Sequence, residues 1–262
     1  MNGVDKARLG AAFSRSAARY EAQSAMQREV AARVEALARE AAPRARRALD
    51  VGCGAGGLVA SLERGGVAAA GLDLAHGMAR LARERAGRSP FAAGDAEALP
   101  FRAAAFDLVV SSSAFQWLPE LGRALSEVRR VLVPGGTFCL ALFCGDTLVE
   151  LREAWRAALP QGVPPATHRF HAPAAVRSAL QAAGLEPSIF EVERRQARHP
   201  SARHLLESLR DIGAGNAVAG RSGGLALGRA VARMSRIYEE RHRSGATVPA
   251  TWEVAYAVAR AP

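Results

Sequence analysis

Three acidic residues stand at or just after short apolar runs in the first half of the chain: Asp50, Asp73 and Asp95. A glycine-rich segment, Gly52–Gly57, follows the first of them and precedes a stretch with helical periodicity. Glycine tolerates positive φ and lets a ligand approach the backbone without meeting a Cβ atom. Carboxylates beside such a loop accept hydrogen bonds from hydroxyl and amino groups, so the spacing predicts a binding site for a small polar molecule.

The glycine segment satisfies the G-x-G-x-x-G pattern through Gly52, Gly54 and Gly57, a pattern typical of dinucleotide binding where it joins a strand to a helix. Asp50 favours a different ligand, because a carboxylate at the strand end would repel a pyrophosphate and attract an ammonium group. A tight strand-to-helix turn that binds nothing is a third interpretation of the same glycines.

Asp73 and Asp95 each have two interpretations. Asp73 lies about 20 residues after the first glycine, where nucleotide-binding folds place an acid that accepts hydrogen bonds from ribose hydroxyls. It is also placed to cap the helix predicted over His76–Arg85. Asp95 follows the brief strand Phe91–Ala93, from where its carboxylate can accept a hydrogen bond from an exocyclic adenine amine. The alternative for Asp95 is a solvated loop residue.

These acids must be positioned by a sheet, because short apolar runs alternate with amphipathic stretches and so predict βαβ units. We expect an α/β fold with a doubly wound seven-stranded sheet. The predicted strands are Ala48–Val51, Ala68–Leu72, Phe91–Ala93, Asp107–Ser112, Thr137–Phe143, Glu186–Glu193 and Trp252–Ala259. The predicted helices are Lys6–Ala42, Leu58–Arg64, His76–Arg85, Leu121–Leu132, Leu148–Leu159, Ala174–Ala183, Ser201–Ile212 and Leu225–Arg241.

The predicted elements divide into an N-terminal helical lid (1–42) and a main domain (43–262) with a helical insertion at about 200–245. No apolar run approaches the roughly 20 residues of a membrane span, and Met1–Phe13 lacks a secretory leader. We therefore expect a cytoplasmic protein with no membrane partner. The three cysteines lack the spacing of metal ligands, so we expect reduced thiols and no metal. The net charge of +10 favours acidic partners.

The glycine segment and the three acids, in this order, resemble the class I S-adenosylmethionine-dependent methyltransferases, whose sheet is Rossmann-like. Phe106–Ser111 (FDLVVS) and Leu132–Gly136 (LVPGG) carry the same resemblance. The resemblance implies S-adenosylmethionine as the cofactor and S-adenosylhomocysteine as the product. It implies a site for the methionine part, the ribose and the adenine of this cofactor. The residues of that site, in chain order, are Asp50, Gly52, Cys53, Gly54, Gly56, Asp73, Leu74, Asp95, Ala96 and Ser111.

The outer segments narrow the resemblance. Phe13–Tyr20 (FSRSAARY), Ser111–Leu118 (SSSAFQWL), Asp146–Leu151 and His168–Phe170 (HRF), in this order, resemble the malonyl-[acyl-carrier protein] O-methyltransferase family. That family implies methylation of the free malonyl carboxylate, the step that begins pimeloyl synthesis for biotin. It implies acyl carrier protein as the partner and no nucleic acid, and we expect a monomer.

A carboxylate acceptor is already ionised at neutral pH, so it needs alignment rather than a general base, and we expect no acid–base catalytic residue. We expect substrate contacts from Tyr20, Phe115 and Trp117, and a bidentate contact from Arg169 to the carboxylate. Core packing for the aromatic residues and a surface position for Arg169 are the alternatives. The acidic carrier is expected to meet Arg194, Arg195, Arg198, Arg203 and Arg210.

Other functions remain open at this point. A methyltransferase of the same fold that acts on another carboxylate or on a ring carbon fits the same motifs, as does a cofactor-binding assembly factor. A nicotinamide-dependent dehydrogenase fits the glycine pattern but not Asp50. A nucleic-acid methyltransferase would use the positive charge, but Ser112–Phe115 differs from the Asn-Pro-Pro-aromatic run of enzymes that methylate base amines.

Overall fold

The computed structural model describes residues 5–23, 25–85, 89–160, 163, 167–214 and 225–262, without the side chains of 18–23 and 225–227. Its strands are β1 (Arg47–Val51), β2 (Ala68–Asp73), β3 (Phe91–Ala93), β4 (Phe106–Ser112), β5 (Leu132–Phe143), β6 (Glu186–His199) and β7 (Val248–Arg260). Its α-helices are α1 (Lys6–Gln23), α2 (Ala25–Ala41), α3 (Gly57–Arg64), α4 (His76–Arg85), α5 (Leu121–Val131), α6 (Val149–Ala158), α7 (Pro173–Ala182), α8 (Ala202–Asp211) and α9 (Leu225–His242). A short 3₁₀ helix spans Phe115–Trp117. Within the described ranges, no helix is long and apolar enough to cross a membrane.

The strands form one seven-stranded sheet in the order β3-β2-β1-β4-β5-β7-β6. Strands β1 to β5 are parallel, whereas β7 runs antiparallel to both of its neighbours. The predicted α/β fold with a seven-stranded sheet is confirmed. The position of β7 between β5 and β6 and its antiparallel direction were not predicted. The hydrophobic pattern of a buried strand is the same whether its neighbours are parallel or antiparallel to it.

Helices cover both faces of the sheet. In β4, Leu108 and Val110 pack into one core with Val34 of α2, while Val109 packs into the other with Leu125 of α5. Because Leu108, Val109 and Val110 all enter one core or the other, the middle of this strand shows no alternation of polar and apolar residues. The continuous apolar run over β4 is thus explained by burial on both sides.

The carboxyl ends of β1, β2, β3 and β4 lie along one edge of the sheet, because these strands are parallel. Strand β1 lies between β2 and β4, so the connections leave it in opposite directions. In open α/β sheets, ligands bind in the crevice at such a switch point. Asp50, which is in register with Gly71 of β2 and Val110 of β4, therefore belongs to the edge where a ligand is expected.

Several predicted bounds differ from those in the structure. The helix predicted over Lys6–Ala42 is divided into α1 and α2, and residue 24 lies outside the described residues. Strands β6 and β7 extend well past their predicted ends, with His199 paired to Val248 at the far end. Cross-strand pairing sustains these extensions where the polar residues Arg194 and Arg195 interrupt the apolar pattern. The segment between the predicted helices Ser201–Ile212 and Leu225–Arg241 is glycine-rich, and most of it lies outside the described residues.

Two residues of α5 hold the loop that follows β3. The Glu127 carboxylate accepts a hydrogen bond from Leu99 N at 2.7 Å. The Arg130 guanidinium donates to Phe101 O at 2.7 Å and to Leu99 O at 2.9 Å, and it pairs with Glu127 at 2.6 Å. The loop that contains Asp95 is thereby fixed against α5.

Replacing Arg130 by Met is expected to lower the free energy of unfolding by about 1–2 kcal/mol, because two backbone carbonyl groups and Glu127 lose a charged donor. Urea denaturation measures the difference. The matched control is Arg123→Met, which changes an exposed arginine of the same helix and is expected to stay within about 0.5 kcal/mol of the parent. Equal losses in the two variants would contradict a specific role for Arg130.

Candidate active site

A cleft opens at the carboxyl ends of the parallel strands, with a volume of about 820 Å³ counted to its mouth. The walls come from α1, the glycine segment, the end of β2, the loop after β3 and the segment after β4. Six of the predicted cofactor residues line it: Gly52, Gly54, Asp73, Leu74, Asp95 and Ala96.

The glycine segment turns sharply beneath the cleft. Gly52 has a φ of +80°, and a Cβ atom there would lie 2.2 Å from the Ala114 Cβ atom, so only glycine fits against the segment after β4. Gly54 has a φ of +52° and has open space around the position of an added Cβ atom. The first glycine is therefore required by packing, whereas the second exposes backbone to the cleft.

Four backbone N–H groups of this segment donate hydrogen bonds inside the protein. Gly52 N and Cys53 N donate to Leu72 O at 2.7 and 3.0 Å, and Gly56 N donates to Cys53 O at 2.9 Å. Gly54 N donates to the Asp73 carboxylate at 2.8 Å. A phosphate-binding loop needs free N–H groups that point at the anion. The segment is therefore built differently from the pyrophosphate site of a dinucleotide-binding fold.

Asp50 does not line the cleft; it is buried next to Val51, which does, and 2% of its surface is exposed. Burial, and then the nearby charge of Asp73, raise the pKa of Asp50 to about 8. Among the described residues, its Oδ1 atom has no hydrogen-bond partner. Two acids that repel each other beside an unpaired carboxylate oxygen suit a cationic ligand, and they disfavour a pyrophosphate.

Asp73 joins the glycine segment to the start of α4. Its Oδ2 atom accepts a hydrogen bond from Gly54 N, and its Oδ1 atom accepts one from Ala75 N at 2.7 Å. Burial raises the pKa of Asp73, while these two backbone hydrogen bonds oppose the shift. Each carboxylate oxygen keeps a second lone pair, so Asp73 can bind the backbone near α4 and still accept hydrogen bonds from a diol. The two interpretations of Asp73 are therefore compatible.

Asp95 is paired with a residue that the sequence did not single out. Lys6 of α1 lies 2.6 Å from the Asp95 carboxylate and 2.7 Å from that of Glu97. Partial burial acts to raise the pKa of Asp95, but the hydrogen bonds from Lys6 and Glu97 N lower it overall. A lysine 89 positions before its partner carries no local sequence signal, and the pairing depends on how α1 crosses the cleft.

The remaining predicted cofactor residues lie behind the cleft wall. Cys53 and Gly56 do not line it; Cys53 is buried, and Gly56 precedes α3 with a φ of +82°. Ser111 is fully buried, and its hydroxyl donates to Val51 O at 2.6 Å, which ties β4 to β1. The structure therefore does not bring Ser111 to the cleft, whereas the next residues, Ser112 and Ser113, line it.

A second cavity of about 480 Å³ adjoins the cleft, and we call it the chamber. The two cavities share Phe13, Ser113 and Trp117 in their walls. The rest of the chamber wall is mostly apolar: Gln27, Gln116, Phe143, Leu148, Phe170, Leu209, Ile212, Ala214 and Trp252. A ligand in the cleft thus faces a water-poor space that a second molecule can enter.

The 3₁₀ helix at Phe115–Trp117 forms the rim between the two cavities. His168 holds it, with Nε2 2.7 Å from Gln116 O and the imidazole ring 4.7 Å from the Trp117 ring. Burial lowers the pKa of His168 to about 4, so this imidazole is neutral at neutral pH. Since Gln116 O is an acceptor, Nε2 carries the proton and donates it to that hydrogen bond.

The predicted substrate residues lie in different places. Trp117 lines both cavities, whereas Phe115 is buried, lines only the cleft and packs against Phe138 with ring centres 5.9 Å apart. Arg169 is exposed and lines neither cavity. Tyr20 belongs to α1, but its side chain lies outside the described residues. Substrate contacts by these residues stay predictions.

This chain is similar to known proteins in both sequence and fold. Residues 49–140 match the Methyltransferase domain family. A malonyl-[acyl-carrier protein] O-methyltransferase of Geobacter sulfurreducens is 43% identical, over 98% of this chain and 99% of that one. The biotin biosynthesis bifunctional protein of Cellvibrio japonicus is 34% identical over 97% of this chain, which spans 50% of the longer protein.

A crystal structure of a candidate methyltransferase from Bacillus halodurans superposes with a TM-score of 0.61 at 19% identity, over 82% of this chain and 92% of that one. This similarity shows the fold alone. The match to the Geobacter protein shows more, because it extends through the N-terminal helices and the chamber residues as well as the sheet. The resemblance predicted from the motifs is confirmed: this chain is a class I S-adenosylmethionine-dependent methyltransferase and belongs to the malonyl-[acyl-carrier protein] O-methyltransferase family.

Proposed function

We propose that the protein transfers a methyl group from S-adenosylmethionine to the free carboxylate of malonyl-acyl carrier protein. The products are the malonyl methyl ester and S-adenosylhomocysteine, and the ester enters pimeloyl and biotin synthesis. The observation that carries the proposal is the junction of an acid-lined cleft with an apolar chamber at Phe13, Ser113 and Trp117. The cleft suits a cationic nucleoside, and the chamber suits a small acyl group.

The residues of the cleft fit this cofactor. The unpaired Oδ1 atom of Asp50 is the acceptor for the ammonium group of the methionine part, and open space above Gly54 admits that part. Asp73 is placed for the ribose hydroxyls, and Asp95 with Ala96 for the adenine. Bound there, S-adenosylmethionine supplies an electrophilic methyl group on a positively charged sulfur.

The chamber orients the acyl group and excludes water from it. A malonyl carboxylate is ionised at neutral pH, so no general base is needed, and the neutral His168 serves to hold the rim. The carboxylate loses its charge as it becomes an ester. A water-poor wall disfavours the charged reactant more than the dispersed charge of the transition state, so apolar residues such as Phe143 and Phe170 favour the reaction.

The carrier protein is acidic, and the basic charge beside the chamber supplies an electrostatic partner. Of the arginines predicted there, Arg195 is paired with Glu29 and Glu193, and Arg203 is paired with Glu207. Arg210 is exposed on α8, directly after Leu209 of the chamber wall. Arg210 is therefore the best placed of the predicted set to meet a carrier that delivers its acyl group to the chamber.

Helix α1 is the proposed lid of the cofactor cleft. Lys6, Leu9, Gly10 and Phe13 line the cleft from this helix. The ion pairs of Lys6 with Asp95 and Glu97 fasten the lid to the loop after β3, and the Ser14 hydroxyl accepts a hydrogen bond from Gly77 N at 3.0 Å. Entry and exit of the cofactor require these contacts to open.

The proposed function is tested with purified protein, S-adenosylmethionine and malonyl-acyl carrier protein. We expect the intact carrier to gain the mass of one methylene group, because a methyl group replaces the carboxyl proton, and mild base to remove the modification as an ester. Acetyl-acyl carrier protein, which has no free carboxylate, is the control and is expected to stay unmodified. A base-stable product, or methylation of the acetyl control, would point to a different acceptor.

Asp50→Asn is expected to weaken S-adenosylhomocysteine binding at least about tenfold, because the ammonium group loses a charged acceptor. Without a ligand, the Asp50 carboxyl group has a pKa of about 8, and Asp73 and the Cys53 thiol lie beside it. A bound ammonium group favours the ionised form of Asp50. Affinity of the parent protein should therefore rise from pH 6 to pH 8, with proton release on binding, and the Asp50→Asn variant should lack this slope.

Isothermal titration calorimetry in buffers of different ionisation enthalpy measures both quantities. Asp107→Asn is the control, because its carboxylate accepts hydrogen bonds from Arg46 N and Arg47 N at the opposite edge of the sheet. This variant should keep the affinity and the pH slope of the parent. Binding that is independent of pH in the parent protein would contradict the assignment of Asp50.

Lys6→Met is expected to raise the dissociation rate of S-adenosylhomocysteine about threefold, because partly exposed ion pairs contribute about 0.5–1 kcal/mol. Stopped-flow tryptophan fluorescence follows the rate, since Trp117 lines the cleft. Arg8→Met is the matched control: Arg8 pairs with Asp5 near the same helix end and is exposed. An unchanged rate in Lys6→Met would exclude a fastening role for this lysine.

A further inference from the structure

The chamber contains two buried hydrogen-bond donors that the proposed function has not yet used. These are the Ser113 hydroxyl and the indole Nε1–H of Trp252, and neither has a hydrogen-bond partner within the part of the chain that the structure describes. Trp252 is only 7% exposed, and its ring packs against Phe143 with centres 5.0 Å apart. A buried donor without a partner is unfavourable, so two in residues that line one cavity point to a ligand that supplies the acceptors.

Ser113 is also held in an unusual backbone conformation. Its φ is +57°, in the left-handed region that non-glycine residues rarely adopt. Its N–H donates to Ala141 O at 2.9 Å, and its C=O accepts a hydrogen bond from Gln116 Nε2 at 2.7 Å. Strain that is held in place by neighbours in this way is typical of functional positions. The conformation sets Ser113 at the junction of the cleft and the chamber.

We infer that Ser113 Oγ and Trp252 Nε1 bind the substrate carboxylate through neutral hydrogen bonds. This inference rests on the proposed function, because it identifies what holds the acceptor group in the chamber. A carboxylate has two oxygens that accept hydrogen bonds and no donor of its own, which matches two unpaired donors. Gln116 is a positioning residue, because its side-chain amide group donates to the Ser113 carbonyl. The Oε1 atom of Gln116 can only accept hydrogen bonds, so it cannot bind a carboxylate oxygen.

Neutral donors suit this reaction better than a cation. The carboxylate gives up its negative charge as it is methylated, so a guanidinium pair would stabilise the reactant more than the transition state. Hydrogen bonds from a hydroxyl and an indole orient the nucleophile and hold it less strongly. The structure is consistent with this choice, since Arg169 is exposed and lines neither cavity, and the nearby His168 is neutral.

The test compares Ser113→Ala and Trp252→Phe with the parent protein by measuring two dissociation constants in the presence of S-adenosylhomocysteine. One is for malonyl-acyl carrier protein, and the other is for its methyl ester, which lacks the charge. We expect each substitution to weaken binding of the malonyl form about tenfold and to change binding of the ester little, because a hydrogen bond to a charged group is worth more than one to a neutral group.

The control variants make the same chemical changes away from the chamber. Ser89→Ala removes a buried unpaired hydroxyl, and Trp155→Phe removes a buried unpaired indole N–H, and neither residue lines the chamber. Both controls should keep the preference of the parent for the malonyl form. Arg169→Met is measured in the same series, because it decides between the neutral donors and the guanidinium.

The inference is overturned if Ser113→Ala and Trp252→Phe weaken both ligands equally, which is the result of a structural role alone. It is also overturned if Arg169→Met removes the preference while the two chamber variants keep it. Failure of the proposed function gives a different result: the parent protein then neither methylates malonyl-acyl carrier protein nor binds it more tightly than its ester.

Discussion

The site depends on two acids at the carboxyl ends of adjacent parallel strands: Asp73, which lines the cleft, and Asp50, which is buried next to it. Burial raises the pKa of both acids, and the charge of Asp73 raises the pKa of Asp50 further. A cationic ligand would favour the ionised form of both acids. The glycine segment makes the arrangement possible, because it brings Gly54 N to the Asp73 carboxylate while leaving one oxygen of Asp50 unpaired among the described residues. Gly52 N, Cys53 N, Gly54 N and Gly56 N all donate inside the protein, so these four groups are not available to a phosphate.

The cleft and the chamber divide the chemical problem between them. The cleft is polar at its base and selects charge, whereas the chamber is mostly apolar and selects size and orientation. Their shared wall consists of Phe13, Ser113 and Trp117, so two aromatic side chains and one hydroxyl stand where the reacting groups are expected to meet. Under the proposed function, the sheet edge holds the methyl donor and the chamber holds the acceptor.

Much of the fold was predictable from local pattern. Strand β3 and helix α4 have the predicted bounds, because each is delimited by local turn residues and by burial periodicity. The position of Asp73 and Asp95 in the lining of the cleft was also predictable, since parallel strands deliver their carboxyl ends to one edge. The placement of Ser111 was not, because a serine in a strand gives no sign of whether its hydroxyl meets a ligand or, as here, Val51 O.

Contacts between distant segments could not be predicted from the sequence. The pairing of Lys6 with Asp95 depends on how α1 crosses the sheet edge, and no periodicity encodes that path. Arg169 was predicted to bind the carboxylate because of its residue type, but the exposure of its side chain depends on the course of the segment before α7. Trp252 was assigned to a closing strand from its apolar neighbours, and only the reversed insertion of β7 beside β5 brings its ring to the chamber.

The late position of β7 in the chain has a consequence for how such an enzyme can diversify. Every described residue that lines the cleft lies between Lys6 and Leu118, while the chamber also draws on Phe143, Phe170, Leu209 and Trp252. The cavity that we propose for the methyl donor is therefore lined by the first half of the polypeptide alone. Under this proposal, substitutions at the second-half residues of the chamber would change the acceptor site without changing the lining of the cleft.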